Sequence, residues 1–129
     1  MLSCSSKKME IKMTKIAVTS EGPSMQDMVD PRFGRAGGFV VVDPETMQHE
    51  YVDNGSSQAM AHGAGIQAAQ NVADSGAHVV LTGYVGPKAF DALKAVGVKV
   101  IQNLDNMSVE QAVQRYKSGD VQYADQPNK

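Results

Sequence analysis

The second half of the chain alternates short apolar segments with amphipathic helical segments, and this alternation constrains the fold more than any other feature. The apolar segments are "HVVLTG" (78–83) and "VKVIQN" (98–103). Both are short and contain several β-branched residues, which is typical of buried strands. Strands that are separated by helices pair in parallel through right-handed crossovers. The pattern therefore predicts parallel strands with helices packed against the sheet.

Three helices are predicted, and each has a start or a stop signal. The first covers 63–75 and ends before Gly76, the second begins at Pro87, and the third begins with a capping box at 108–111. Each helix is expected to bury one apolar side. The predicted inner faces are Ile66, Ala69, Val72 and Ala73 in the first helix, Phe90, Leu93 and Val96 in the second, and Val109, Ala112, Val113 and Tyr116 in the third.

The first half of the chain has a different pattern. A short strand is predicted at 16–18, and two more, "FVVVD" (39–43) and "HEYVDN" (49–54), flank the turn "PETMQ". Two strands that are joined by a short turn form an antiparallel hairpin. The predicted fold class is therefore α/β, with a five-stranded mixed sheet, an antiparallel hairpin at one side and helices on the faces.

The length of 129 residues fits one domain. We predict a disordered N-terminal extension at 1–12, a single α/β domain at 13–118 and a flexible C-terminal tail at 119–129, because both ends are polar and without a clear period. The formal net charge of −2 gives no support for binding to nucleic acid.

The use of cysteine also limits the class of protein. Cys4 is the only cysteine, so the body of the chain has neither a disulfide framework nor a cysteine metal site. No apolar run approaches the roughly 20 residues that a membrane span needs. We therefore expect a soluble cytoplasmic protein that has no membrane partner.

The loop "DPRFGRAGGF" (30–39) points to a ligand. It combines Arg32 and Arg35, which are permanently charged donors, with glycines that let the backbone approach another group closely. Residues 63–65 and 86–87 place glycine at the predicted starts of two helices, where free N–H groups and the helix dipole favour an anion. Loops beyond the carboxyl ends of parallel strands converge on one crevice. Together these segments predict a site for a compact anion.

Other interpretations of the same residues stay open. The two arginines of the loop can form ordinary ion pairs with Asp30 and Asp43. His62, just before the first helix, can ligate a metal or merely cap the loop. The string "GAGIQA" matches the dinucleotide fingerprint, but no acidic residue stands about 20 residues further on. No nucleophile elbow accompanies the serines near His62, and we do not expect an enzyme.

Three stretches in combination identify a family. They are "VDPRFGRAGGFVVVD", "GAGIQAAQNVADSGAHVVLTGYVGPKAFDAL" and "GVKVIQN". The chain from about residue 14 to residue 116 resembles the dinitrogenase iron-molybdenum cofactor biosynthesis family, which groups nitrogenase accessory proteins with small relatives of the orange-protein type. The resemblance implies a ribonuclease-H-like, three-layer α/β/α fold with a five-stranded mixed sheet.

The resemblance also implies a function and a site. It implies a non-enzymatic carrier that binds, stores or transfers an anionic molybdenum-containing cluster, either a molybdenum-copper sulfide cluster or iron-molybdenum cofactor or its precursor. The implied metal ligand is His62. The implied cluster-binding residues are Arg32, Phe33, Gly34, Arg35, Gly63, Ala64, Gly65, Gly83, Gly86 and Pro87. Because the core of the domain has no cysteine, non-covalent capture is favoured over thiolate ligation.

The expected partners are donor and acceptor proteins for the cluster, with the chain itself a monomer. One alternative is a regulatory or adaptor module that acts through protein partners. Another is a degenerate phosphoryl-transfer enzyme of the same fold, which would depend on Asp30 or Asp43.

Overall fold

The computed structural model describes residues 15–55 and 63–128, and these residues form five strands and three helices. The strands are β1 (Lys15–Ser20), β2 (Gly38–Val42), β3 (His49–Asp53), β4 (Ala77–Leu81) and β5 (Lys99–Ile101), and the helices are α1 (Ala64–Asp74), α2 (Pro87–Ala95) and α3 (Val109–Ser118). None of these helices is long and apolar enough to cross a membrane. The predicted extension at 1–12 lies outside the described residues.

The sheet is mixed, as predicted. Its strand order is β3-β2-β1-β4-β5. β2 pairs antiparallel with β1 and β3, whereas β4 pairs parallel with β1 and β5. All strands except β2 thus run in one direction, and their carboxyl ends lie at the same end of the sheet. The loop after β1, the start of α1 and the turn after β4 follow these ends.

Alternate residues of the strands belong to two core clusters. In β1, Ala17 packs in the cluster that contains residues of α1 and α2, whereas Ile16 and Val18 pack in the cluster that contains residues of α3. All three side chains are fully buried. Because alternate side chains of a strand point to opposite faces, both faces of β1 are covered. This explains why residues 16–18 of β1 and 39–42 of β2 are continuous apolar runs rather than alternating ones.

Two residues predicted to lie on inner helix faces do not. The side chain of Ile66 is 51% exposed, and that of Val96, at the C-cap of α2, is 40% exposed. The buried residues of α1 are Ala64, Ala68, Ala69 and Val72. Small residues fit here because the two helices approach closely: a Cβ atom on Gly65 would lie 2.7 Å from the Cβ atom of Ala89. Alanines, not the larger isoleucine, therefore face the core.

The predicted capping box of α3 is present. The N–H of Gln111 donates to Ser108 Oγ at 3.1 Å, and the N–H of Ser108 donates to Gln111 Oε1 at 2.8 Å. The N–H of Val109 donates to the carbonyl of Asp27 at 2.8 Å. The loop after β1 therefore also holds the first turn of α3, and through it the position of this helix on the sheet.

The chain continues beside β5 after α3 ends. The N–H of Ala124 donates to the carbonyl of Val100 at 2.8 Å. Burial raises the pKa of Tyr116 to about 12, and a hydrogen bond with Tyr123 contributes to this rise. Residues 120–128 thus have defined contacts, while the division of the chain into an extension, a domain and a flexible tail stays a prediction.

Candidate functional site

The loop after β1 is fixed at its base by buried polar groups. The N–H of Asp30 donates to the carbonyl of Thr19 at 2.9 Å, and the hydroxyl of Thr19 donates to the carbonyl of Asp30 at 2.7 Å. The Thr19 hydroxyl also lies 2.8 Å from the hydroxyl of Thr82. Thr19 and Thr82 are fully buried, so the bonds link the carboxyl ends of β1 and β4 below the site. Sequence reasoning assigned no role to these threonines.

The same loop pairs with the turn after β4. The N–H of Tyr84 donates to the carbonyl of Pro31 at 2.7 Å, and the N–H of Phe33 donates to the carbonyl of Tyr84 at 3.2 Å. The ring of Phe33 is 1% exposed and stacks on Phe39, with 6.2 Å between ring centroids. Phe33 was predicted to contact the cluster. Its buried ring anchors the loop in the core, and a contact between Phe33 and a cluster stays a prediction.

Glycines allow the three segments to come together. A Cβ atom on Gly34 would lie 3.1 Å from the N and Cα atoms of Gly65, which is tighter than a usual side-chain contact. A Cβ atom on Gly65 would in turn lie too close to Ala89 in α2. A Cβ atom on Gly83 would lie 2.8 Å from Pro31. Loop, α1 and α2 are therefore in close contact only because these positions lack side chains.

An open cleft of about 470 Å³ lies where these segments meet. Its lining residues are Gly34, Arg35, Ala64, Gly65, Gly86, Pro87, Lys88 and Ala89. Six of them were predicted as site residues, and their predicted convergence is found in the cleft. Lys88 and Ala89 were missed, although Lys88 directly follows Pro87 and could have been recognised as a cation in the first turn of a predicted helix.

Among the described residues, no side chain caps either helix start on the cleft. The N-cap of α1 is Gly63, with a left-handed φ of 75°, and the N-cap of α2 is Gly86. Glycine has no side chain that can accept from the first N–H groups of the helix. A Cβ atom on Gly86 would meet no atom of residues 15–55 or 63–128 within 4 Å, so this backbone borders open space in the described part of the chain. Both helix starts thus present N–H groups and the positive end of the dipole near the cleft.

The two arginines of the loop occupy different environments. Arg35 lies on the cleft wall. Arg32 makes the ion pair that was left open as an alternative, with 3.6 Å between its Nε and Asp30 Oδ1, and its side chain is 64% exposed. The N–H of Arg32 donates to the same carboxylate oxygen at 3.0 Å. Arg32 does not line the cleft among the described residues, so the two cations are not equivalent.

Asn54 is a further residue that sequence reasoning missed. Its side chain is fully buried, and its Nδ2 donates to the carbonyl of Ala36 at 2.9 Å. Its N–H donates to the carbonyl of Gly37 at 2.9 Å, and its Oδ1 accepts from Asn71 Nδ2 at 2.6 Å. Asn54 therefore joins α1 to the end of residues 30–37, the part of the loop after β1 that contains Arg32 and Arg35 (the arginine loop). The available signal was a polar asparagine at the last position of a predicted strand, where a buried side chain needs hydrogen-bond partners.

The predicted metal ligand, His62, lies outside the described residues. Within residues 15–55 and 63–128, no three side chains of His, Cys, Asp or Glu are grouped so as to hold a metal ion. The described part of the cleft offers cationic side chains and N–H groups. These donors suit an anion rather than a bare metal cation.

Comparison with known proteins places the chain in a family. The family model for the dinitrogenase iron-molybdenum cofactor matches residues 13–119. The apo form of the orange protein from Desulfovibrio gigas is similar, with 64% identity, a TM-score of 0.89, and coverage of 91% of this chain and 98% of that chain. A NifB-like protein of the DUF35 family from Thermotoga has 33% identity and a TM-score of 0.73, and the match covers 85% of this chain and 92% of that chain.

A protein of Methanocaldococcus jannaschii is also similar, with 26% identity over 114 residues, which is 86% of this chain and 92% of that protein. The resemblance found in the three sequence stretches is therefore confirmed. The family match spans every segment that contributes to the cleft. The chain belongs to the dinitrogenase iron-molybdenum cofactor family.

Proposed function

We propose that this chain binds an anionic metal-sulfide cluster that contains molybdenum, and that it stores or transfers this cargo without acting as an enzyme. The family and the similarity to the orange protein support a cofactor-related role. The observation that carries the proposal is the cleft, where Arg35 and Lys88 meet the starts of α1 and α2. All of these groups favour the binding of a negatively charged ligand.

The cleft attracts an anion through groups of two kinds. Cationic side chains supply charge, and Arg35 also supplies a planar set of donors. The helix starts supply N–H donors whose directions are fixed by the backbone. At Gly86 the missing Cβ leaves open space, so a cargo atom can approach the main chain there. Arg32 is not among the described lining residues, and its ion pair with Asp30 offsets its charge.

The proposed cargo is a preformed cluster, either a molybdenum-copper sulfide cluster or iron-molybdenum cofactor or its precursor. Its sulfide surface would accept hydrogen bonds from the N–H and guanidinium groups of the cleft. Cys4, the only cysteine, lies outside residues 13–119 that match the family, so capture is non-covalent in this proposal. His62 is the one side chain assigned as a metal ligand, because it immediately precedes the N-cap of α1.

The remaining parts of the proposal concern the fold and the partners. The two core clusters on alternate strand residues support a three-layer α/β/α arrangement, and a ribonuclease-H-like motif is part of the same proposal. The chain acts as a monomer that exchanges its cargo with donor and acceptor proteins. A reducing cytoplasm fits the use of a single cysteine.

An anaerobic titration with tetrathiomolybdate, with and without copper(I), tests the function. We expect wild-type protein to retain molybdenum through desalting and to form a coloured complex that depends on copper. Arg35→Ala is expected to weaken retention about tenfold, because it removes a charge-assisted contact. Arg32→Ala is the matched control, and its smaller effect follows from its position outside the cleft wall.

Inorganic phosphate at the same concentration distinguishes selective cargo binding from simple attraction of anions. If wild-type protein retains no molybdenum under any of these conditions, the assignment of a molybdenum-sulfide cargo is wrong. If Arg32→Ala and Arg35→Ala lose retention equally, the cleft wall is not the contact surface.

Lys88 gives a prediction in which stability and binding change in opposite directions. A cation in the first turn of a helix opposes the dipole, whereas Lys94, in the last turn of the same helix, complements it. Lys88→Gln is therefore expected to raise the Tm of the protein without cargo by about 1–4 °C. The same change is expected to weaken tetrathiomolybdate binding about three- to tenfold.

Lys94→Gln is the matched control for the loss of a lysine from α2. It is expected to lower Tm slightly and to leave binding unchanged, because Lys94 does not line the cleft. Differential scanning calorimetry and the titration above supply the two readouts. Equal binding by Lys88→Gln and wild-type protein would remove Lys88 from the proposed site.

A further inference from the structure

The segment after α3 reaches the turn that leads into the cleft. Residues 120–128 run beside β5, an edge strand, and the carbonyl of Gln126 accepts from Gln102 Nε2 at 3.2 Å. The ring of Tyr123 lies under Lys99, with 4.9 Å from Nζ to the ring centroid. This path covers the edge of β5 that no strand pairs with among the described residues. It leads to residue 128 at the end of the sheet where the cleft lies.

The side-chain amide of Asn128 binds the backbone of this turn at two points. The N–H of Val85 donates to Asn128 Oδ1 at 2.9 Å, and Asn128 Nδ2 donates to the carbonyl of Gly83 at 2.9 Å. The same Nδ2 lies 3.0 Å from Asn103 Oδ1, where it can donate its second hydrogen. One amide thus satisfies the N–H of Val85 and gives the carbonyl of Gly83, which also accepts from the N–H of Asn103 at 3.0 Å, a second donor.

The opposite edge of the turn is held by the arginine loop. Tyr84, between the two residues that Asn128 binds, exchanges its backbone bonds with Pro31 and Phe33. Successive residues of an extended segment direct their N–H and C=O groups to opposite sides. Residues 83–85 are therefore fixed from both sides, and residue 86, the open N-cap of α2 on the cleft wall, follows immediately.

We propose that Asn128 is a positioning residue for the cleft. By binding Gly83 and Val85 it holds the turn against the arginine loop, so that the start of α2 faces the loop across the cleft. Cargo binding and the attachment of residues 120–128 to the turn are then coupled. By linkage, each process increases the equilibrium constant of the other by the same factor. This inference rests on the proposed function, because it concerns the same cleft.

Asn128→Ala in the full chain tests the inference. We expect it to weaken tetrathiomolybdate binding about fivefold or more, with Tm changed by less than about 2 °C, because one partly exposed side chain contributes little to the core. Gln126→Ala is the matched control. Gln126 contacts Gln102 through its backbone carbonyl, which the substitution retains, so its binding should equal that of wild-type protein.

Hydrogen exchange supplies a readout that a merely structural role would not change. In wild-type protein, tetrathiomolybdate should slow exchange of the Ala124 N–H, which is bonded to Val100. In Asn128→Ala this added protection should be absent. If wild-type protein and Asn128→Ala bind the probe equally tightly, the positioning role of Asn128 is wrong, but the proposed function is not affected. Failure of wild-type protein to retain the probe would instead overturn the proposed function, and the inference with it.

Discussion

Gly86→Leu is expected to abolish most cargo retention while the protein stays folded. The backbone at this position has φ −76° and ψ 170°, a conformation that any residue adopts and that suits a residue before proline. A Cβ atom would meet no described atom within 4 Å, so the substitution causes no clash at the Cβ position. It would instead project from the cleft wall into the space that the cargo needs. We expect binding to fall by at least about tenfold, in line with the cost of overfilling a packed contact.

Two control variants separate this blocking effect from other effects of the substitution. Gly86→Ala restricts the backbone in the same way but adds only one methyl group. Its Tm should equal or slightly exceed that of wild-type protein, and its binding should fall less than that of Gly86→Leu. Ala95→Leu adds the same side chain at an exposed position of α2 outside the cleft, and should leave binding unchanged. Tetrathiomolybdate retention and calorimetry measure both properties. Full binding by Gly86→Leu would place the cargo elsewhere.

The order and type of the strands and helices could be predicted because local patterns are strong in this chain. Glycine and proline mark the ends of α1 and α2, and the capping box at 108–111 sets the start of α3. The inner face of α1 was only partly predictable. Hydrophobicity favours Ile66 as a core residue, whereas the close approach of α1 to α2 requires alanine and glycine at the contact, and that distance is a tertiary property.

The site was predictable as a meeting of segments but not in its details. Strand direction brings the loop and the two helix starts to one end of the sheet, and this follows from topology alone. Within the loop, no periodicity sets the direction of a side chain. For this reason the sequence could not separate Arg35 on the cleft wall from Arg32 beside Asp30, or place the ring of Phe33 in the core.

The polar residues that hold the site in place were the least predictable. Thr19, Thr82 and Asn54 act through partners that are distant in the sequence; the two threonines, for example, are separated by 63 positions. Local propensity describes threonine as a strand residue and asparagine as a turn residue, and neither description predicts a buried hydrogen-bond network. The polar residues that hold the cleft in shape are thus buried beneath the residues that line it.

Asn54→Leu is expected to be among the most destabilising substitutions of a polar residue in this chain. The change leaves the carbonyl of Ala36 and the side-chain amide of Asn71 without the partner that Asn54 gives them. A buried group that loses its hydrogen bond costs about 1–3 kcal/mol, and the half-buried amide of Asn71 adds a smaller cost, so we expect the free energy of unfolding to fall by about 2–4 kcal/mol. Tm should fall by on the order of 10 °C.

Urea denaturation of Asn54→Leu and of Gln114→Leu makes the comparison direct. Gln114 is exposed on α3, and its replacement should change the free energy of unfolding by less than about 0.5 kcal/mol. Because Asn54 links the arginine loop to α1, Asn54→Leu should also weaken tetrathiomolybdate binding at temperatures where the protein is still folded. A loss of stability no larger than that of Gln114→Leu would mean that the bonds of Asn54 to Ala36 and Asn71 contribute nothing to the folded state. In that case the end of the arginine loop would depend on its glycine contacts with α1 alone.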